Sequence, residues 1–229
     1  MQLLAFETAT RRLSVALWQN GASIERAEEL PNGGSERLLP WVQELLAEAG
    51  LALGQIDGIA FGAGPGGFTG LRLACGVAQG LAYGLDRPVL PVSTLEALAL
   101  AAGDGEVWTC LDARMNEVYS AAYRVAGDAV RQLMTPVCLP PAEVSAPTFA
   151  GGWGVGDGFS SYGALLRARK PDLEGVRGDV YPTAVAVLRL AAGAFERGAA
   201  VDAAAAQPIY VRDKVALTTA ERIARGGAK

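Results

Sequence analysis

The 229-residue chain has no histidine. That removes the commonest general base, the commonest zinc ligand and every nucleophile system of the Ser-His-Asp or Cys-His type. Cysteine is nearly as scarce. Cys75, Cys110 and Cys138 stand too far apart for a zinc ribbon or a redox CxxC pair. An odd number with no secretion signal reads as reduced thiols in the core. No apolar run approaches the ~18 residues of a membrane span, because charges or glycines interrupt each one. The opening residues Met1–Glu7 lack a basic stretch and meet a carboxylate too early for a signal peptide. These absences predict a cytoplasmic protein with no membrane attachment. Lysine is rare too, three against seventeen arginines within a formal net charge of −4. Such a chain has no overall electrostatic footprint for nucleic acid. Any contact of that kind needs a local arginine patch, or a partner that supplies most of the phosphate contacts.

Hydrophobic residues make up 51% of the chain and charged residues 19%, so a packed core is feasible and wholesale disorder is excluded. The first hundred residues read as three strands (Leu3–Phe6, Leu13–Trp18, Ala22–Glu28), then helix, strand, helix, strand, helix. Asn20-Gly21 is a type I′ hairpin signal. Pro31–Gly34 is a loop, and Ser35 caps a helix that ends near Gly50 and carries Pro40 inside it, which predicts a kink or a late regular start. Ile56–Phe61 and Val89–Val92 are buried strands. Ser93-Thr94-Leu95-Glu96 spells a capping box. The second half repeats this order. It has a meander at Glu106–Asp112, Glu117–Val125 and Val130–Met134, a strand at Thr148–Ala150, helices at Ser160–Arg169 and Thr183–Arg197, an extended stretch at Gln207–Arg212 and a basic tail. Two similar halves with a boundary near Ala102–Gly105 predict a duplicated α/β architecture.

Gly62, Gly64 and Gly67 satisfy GxGxxG between a strand and a helix. The next strand, however, ends without the carboxylate that a ribose requires, and no Lys-Ser or Lys-Thr follows for a Walker loop. A tight turn explains the glycines as well as an anion or partner contact does. The turn reading places Phe68 in the core, with Gly66 or Gly67 in a conformation closed to other residues. Glu7, Thr8 and Thr10 follow the first strand as a carboxylate and two hydroxyls able to face Mg²⁺ or phosphate. Asp112, Arg114 and Glu117 open the second half either as an ion-paired turn or as a contact site.

Gly76, Gly80 and Gly84 recur every four residues along one helix face, at roughly 1 kcal/mol each against alanine. Close packing on the chain's own sheet or on another chain would explain them. The preceding helix carries an apolar arc about 160° wide, more than the roughly 100° that covers a sheet. With Leu39, Val42 and Leu46 on the sheet, Leu38, Trp41 and Leu45 are left for a neighbour. These six positions are the candidate partner interface, with Trp41 as its hot spot.

Taken together, Gly64–Arg72 and Asp112–Tyr119 resemble the bacterial TsaB (YeaZ) family, supported by Leu39-Pro40-Trp41-Val42, Pro91–Leu95 and Pro208–Arg212. The resemblance runs from the first strand to residue 212. It implies a two-lobed, duplicated actin-like ATPase fold of the sugar kinase/Hsp70/actin, ribonuclease H-like superfamily. The N-terminal lobe (1–102) would carry the partner helices. The C-terminal lobe would be 103–229, its tail after about 207 returning to the first lobe. The implied role is a non-catalytic scaffold and dimerisation partner of TsaD in forming N6-threonylcarbamoyladenosine next to the anticodon of tRNAs. TsaE would join through TsaD, a second copy would pair in its absence, and tRNA would be reached only indirectly. TsaD-type relatives hold a metal through a histidine pair, which this chain cannot build. ATP and Mg²⁺ would then serve the partner complex, with no intrinsic cofactor and no catalytic residue here. Gly64, Gly66, Gly67, Glu7, Thr8 and Thr10 would be a vestigial phosphate site. Glu7 stands where the family usually has aspartate, and Gly34 where many relatives have histidine. The rival readings are an ATP-dependent phosphotransferase using Glu7, Thr8 and the glycine turns, and a peptidase, which only the superfamily's older glycoprotease naming suggests.

Overall fold

The computed structural model describes residues 1–30 and 34–212. The expected loop at 31–34 lies outside this range except for Gly34, and so does the basic tail after Arg212. Strands β1 (Gln2–Glu7), β2 (Arg12–Gln19) and β3 (Ala22–Glu29) form an antiparallel meander. Left-handed Asn20 and Gly21 make its first tight turn. Strands β4 (Gly58–Gly64) and β5 (Val89–Ser93) add in parallel on the free side of β1, giving the order β3-β2-β1-β4-β5.

The second sheet is built from β6 (Gly105–Arg114), β7 (Glu117–Ala126), β8 (Ala129–Leu139), β9 (Trp153–Val155) and β10 (Gly175–Arg177). Its order, β10-β9-β6-β7-β8, is the first arrangement read from the other edge. In both sheets the first meander strand is central and two parallel strands extend beyond it. This repeat is the duplicated actin-like α/β fold.

Helices α1 (Ser35–Glu48) and α2 (Phe68–Leu85) cover the outer face of the first sheet, and α4 (Asp157–Arg169) covers the outer face of the second. Between the sheets lie α3 (Thr94–Ala102) and α5 (Ala184–Glu196). Alternation along β1 sorts the faces: Leu3 and Ala5 point to the middle layer, Leu4 and Phe6 to the outer helices. The middle layer is rich in alanine, including Ala5, Ala16, Ala60, Ala97, Ala99, Ala184, Ala186 and Ala191. Small side chains let two sheets and two helices share one core. Although α5 follows the second sheet in sequence, it packs on β1, β2 and β4 of the first, while α3 packs on β6 and β7. The chain therefore crosses between the halves twice before residue 207.

Several local expectations need correction. Helix α1 starts at Ser35 after an uncapped Gly34 and runs through Pro40, so Ser35 lies inside the helix. Thr148–Ala150 is not a strand; the strand is the glycine-rich Trp153–Val155. Gly154 is required there because a β-carbon would lie 2.6 Å from the Phe159 ring. Its parallel partner β10 is too short to show a period in sequence. Gln207–Arg212 forms no strand. On α1, Leu38, Trp41 and Leu45 are buried in the chain's own core, while Leu39 is 48% exposed. The helix rests on its sheet by the middle of its apolar arc, so the surplus falls at the opposite edge from the one expected. Trp41→Ala is accordingly expected to lower the stability of the isolated protein by about 3 kcal/mol, measured by denaturant unfolding. Leu39→Ala should change it by no more than about 0.5 kcal/mol.

Candidate functional site

Two turns meet at the base of the interlobe cleft. One follows β1 (Glu7–Thr10), and the other is the glycine loop between β4 and α2. They hydrogen-bond to each other. Gly67 N–H donates to the Ala9 carbonyl at 2.7 Å, and the Thr8 hydroxyl donates to the Gly70 carbonyl at 2.6 Å. A β-carbon at Gly66 would lie 2.6 Å from both the Ala9 Cβ and its carbonyl oxygen, and one at Gly70 only 1.9 Å from the Thr8 oxygen. These glycines are needed for space. Neither Gly66 nor Gly67 has positive φ, contrary to expectation; Gly64 does, at +118°. Phe68 does not anchor the core either. It is 52% exposed, because the helix start is held by the glycine–turn contacts and the ring is left outside.

Glu7 turns inward from the cleft and is completely buried. Its Oε1 accepts the Ala9 N–H at 2.7 Å, and its Oε2 accepts the Thr94 hydroxyl at 3.2 Å. Thr94 in turn accepts the Gly64 N–H at 3.2 Å. The carboxylate fills the space of an absent side chain, since a β-carbon at Gly62 would lie 1.9 Å from Oε2. Burial pushes the Glu7 carboxyl up to about 7, against the opposing pull of the Ala9 N–H and the Thr94 hydroxyl. Thr10 hydrogen-bonds within its own turn, to Arg12. The expected phosphate-facing groups are thus brought together, yet the Thr8 hydroxyl and the Gly67 N–H are engaged by the Gly70 and Ala9 carbonyls, and Glu7 by the Ala9 N–H and the Thr94 hydroxyl.

Above them lies a cleft of about 800 Å³, bounded by Thr8–Arg11, Pro65–Leu71, Leu111–Arg114, Asp157, Ser160 and Ser161. Its far wall is the β6–β7 hairpin, where Arg114, Met115 and Asn116 are all left-handed. Asp157, raised by burial, accepts the Asp112 N–H at 2.9 Å. The segment 203–212 then straps the molecule together. Gln79 of α2 donates to the Ala203 and Ala206 carbonyls, and Ile209 N–H donates to the Ala63 carbonyl at 2.7 Å. Arg212 donates to Glu117 at 2.6 Å and to the Ala113 carbonyl at 2.9 Å. Gly62 is visible in the sequence only as part of the GxGxxG pattern, and the contacts that Thr94, Gly70 and Arg212 make here are not legible there. Gly70, Thr94 and Arg212 stand in the family motifs Gly64–Arg72, Pro91–Leu95 and Pro208–Arg212, which is the signal that marks them.

Residues 32–219 match the family model described as TsaD, tRNA N6-adenosine threonylcarbamoyltransferase. The "tRNA threonylcarbamoyladenosine biosynthesis protein TsaB" of Haemophilus influenzae is 36% identical, over 94% of this chain and 95% of that one. Its Escherichia coli counterpart is 37% identical over 94% and 96%. The chain belongs to the TsaB family. A solved relative, YeaZ from Pseudomonas aeruginosa, superposes with a TM-score of 0.83 at 41% identity, over 91% of this chain and 99% of that one.

On the surface of this TsaB-family chain, α2 stands out. Gly76, Gly80 and Gly84 are exposed, and a β-carbon at any of them would meet nothing within 4 Å. Packing on the chain's own sheet therefore does not explain the stripe. Tyr83 beside it is 81% exposed. Among the described residues, no three His, Cys, Asp or Glu side chains converge to hold a metal ion. No helix there is long and apolar enough to cross a membrane.

Proposed function

We propose that this chain is the non-catalytic partner of a TsaD-type transferase in making N6-threonylcarbamoyladenosine on tRNA, in the cytoplasm. The carrying observation is the open glycine stripe of α2. Three solvent-facing helical glycines cost the monomer roughly 1 kcal/mol each and fill no steric need of its own. A second helix packed closely across them gives the stripe a use, and membership of the TsaB family together with the TsaD family-model match supports a TsaD-type protein as its source. In this reading the same face pairs with a second copy when TsaD is absent, so the two assemblies compete. TsaE joins through TsaD, and ATP and Mg²⁺ serve the complex.

The meshed turns below the cleft support a non-catalytic role. The donors that would meet a nucleotide phosphate, the Thr8 hydroxyl and the Gly67 N–H, already bond to the Gly70 and Ala9 carbonyls, and the carboxylate of Glu7 faces away. Neither phosphotransfer nor peptide cleavage belongs to this reading. The test is Gly80→Leu in the full chain, examined by light scattering and by capture of the TsaD-type protein from the same organism. Self-association and capture should both fall at least tenfold, with the melting temperature of the monomer no lower than that of the parent chain. Normal binding by a folded variant would remove α2 from the interface.

A further inference from the structure

We propose that the rim of the interlobe cleft contacts single-stranded RNA directly, with Tyr210 as the surface on which an unpaired base stacks. This rests on the reading above, and it replaces the expectation that RNA is reached only through a partner. Among the described residues, four of the eight exposed large apolar side chains stand here: Phe68, Ile209 and Tyr210 on the cleft lining, and Met115 beside Arg212. That clustering sets the rim apart from scattered surface residues. The Arg72 guanidinium lies 3.9 Å over the Phe68 ring, and the Phe68 and Tyr210 rings are 6.2 Å apart at 34°. Arg72 also reaches the Tyr210 hydroxyl at 3.4 Å. The stack is held from behind, while Tyr210 stays 53% exposed.

The charge offered to an anion is that of Arg72, which is exposed beside the rings. Arg11, Arg114 and Arg212 along the same rim are ion-paired with Glu29, Asp112 and Glu117. Asp112 accepts the Arg114 N–H at 2.8 Å and the Ser161 hydroxyl at 3.3 Å, and Asp157 accepts the Asp112 N–H. The cleft mouth thus presents two exposed aromatic rings with the Arg72 guanidinium against them, the combination of stacking surface and cation that binds single strands. An acidic peptide could use the arginines. An unpaired base uses the open ring face as well.

The experiment measures binding of a fluorescent anticodon stem–loop transcript to the full chain, alone and bound to its TsaD-type partner. A blunt RNA duplex of equal length and polyglutamate serve as comparisons. The stem–loop should bind more tightly than the duplex, and Tyr210→Ala should weaken it about tenfold. Tyr210→Trp should retain binding, and Arg72→Gln, which leaves Tyr210 in place, should weaken it severalfold. Equal affinity for loop and duplex, or unchanged binding by the folded Ala and Gln variants, would overturn the proposal. So would polyglutamate binding with the same Tyr210 dependence, which would assign the rim to an acidic protein segment. If the TsaD-type protein fails to bind at all, the functional reading falls, and the measurement on the chain alone still decides this one.

Discussion

Gly70→Ala is expected to destabilise the protein by at least about 3 kcal/mol, although alanine is the better helix former. Gly70 lies in the first turn of α2, where the exchange would ordinarily be neutral or stabilising. Here the new methyl carbon would sit 1.9 Å from the Thr8 carbonyl oxygen, a backbone atom that cannot swing aside. Relieving the clash would separate the two turns, breaking the Thr8 hydroxyl bond to the Gly70 carbonyl and the Gly67 bond to Ala9. Gly80→Ala on the same helix is the internal control. Nothing lies within 4 Å of its β-carbon, so the monomer, at concentrations too low for self-association, should gain about 0.5–1 kcal/mol. Denaturant unfolding of both variants checks the pair. If both glycines respond with the same sign, space at the turn is not what separates them.

The second large effect is a stability that falls as pH rises. Burial holds the Glu7 carboxyl at about 7 in the folded chain, against an ordinary glutamate value of 4.5. Between those values the folded protein keeps a proton that the unfolded chain has released. Its stabilising contribution is complete below about pH 4.5 and lost as pH rises through about 7. The full change is about 3 kcal/mol. Glu7→Gln keeps the shape and an acceptor for the Ala9 N–H but cannot ionise, so most of this slope should disappear. A smaller slope of the same sign remains, because burial also raises Glu25, Glu96 and Asp157. Urea unfolding of both proteins from pH 4.5 to 8 provides the measurement. A Glu7→Gln variant that keeps the full wild-type slope would show that Glu7 ionises freely in the folded state.

Much of the architecture was legible in the residues. The Asn20-Gly21 hairpin, the capping Ser93, which accepts the Glu96 N–H, and the ordering of strands and helices in two similar halves all rest on local chemistry. Period, turn type and caps act over a few residues, so the sequence carries them openly. The glycine loop was recognisable as a constrained turn for the same reason.

The tertiary structure alone decided which way faces point and what fills the spaces between turns. The apolar arc of α1 is visible in the sequence, but where the sheet meets that arc depends on how the two surfaces settle together. That contact buried Leu38, Trp41 and Leu45 and left Leu39 outside. Gly70 and Gly80 are the same residue on one helix, yet one is enclosed by Thr8 and the other faces open solvent. The inward turn of Glu7 depends on Gly62 and Thr94, and the Arg212 clamp depends on Glu117, 95 positions away. By itself the sequence determined most of the elements, the duplication and the family, because those follow from local preference and pattern. Burial, steric room and long-range hydrogen bonds belong to pairs of distant residues, and they exist only once the chain has folded.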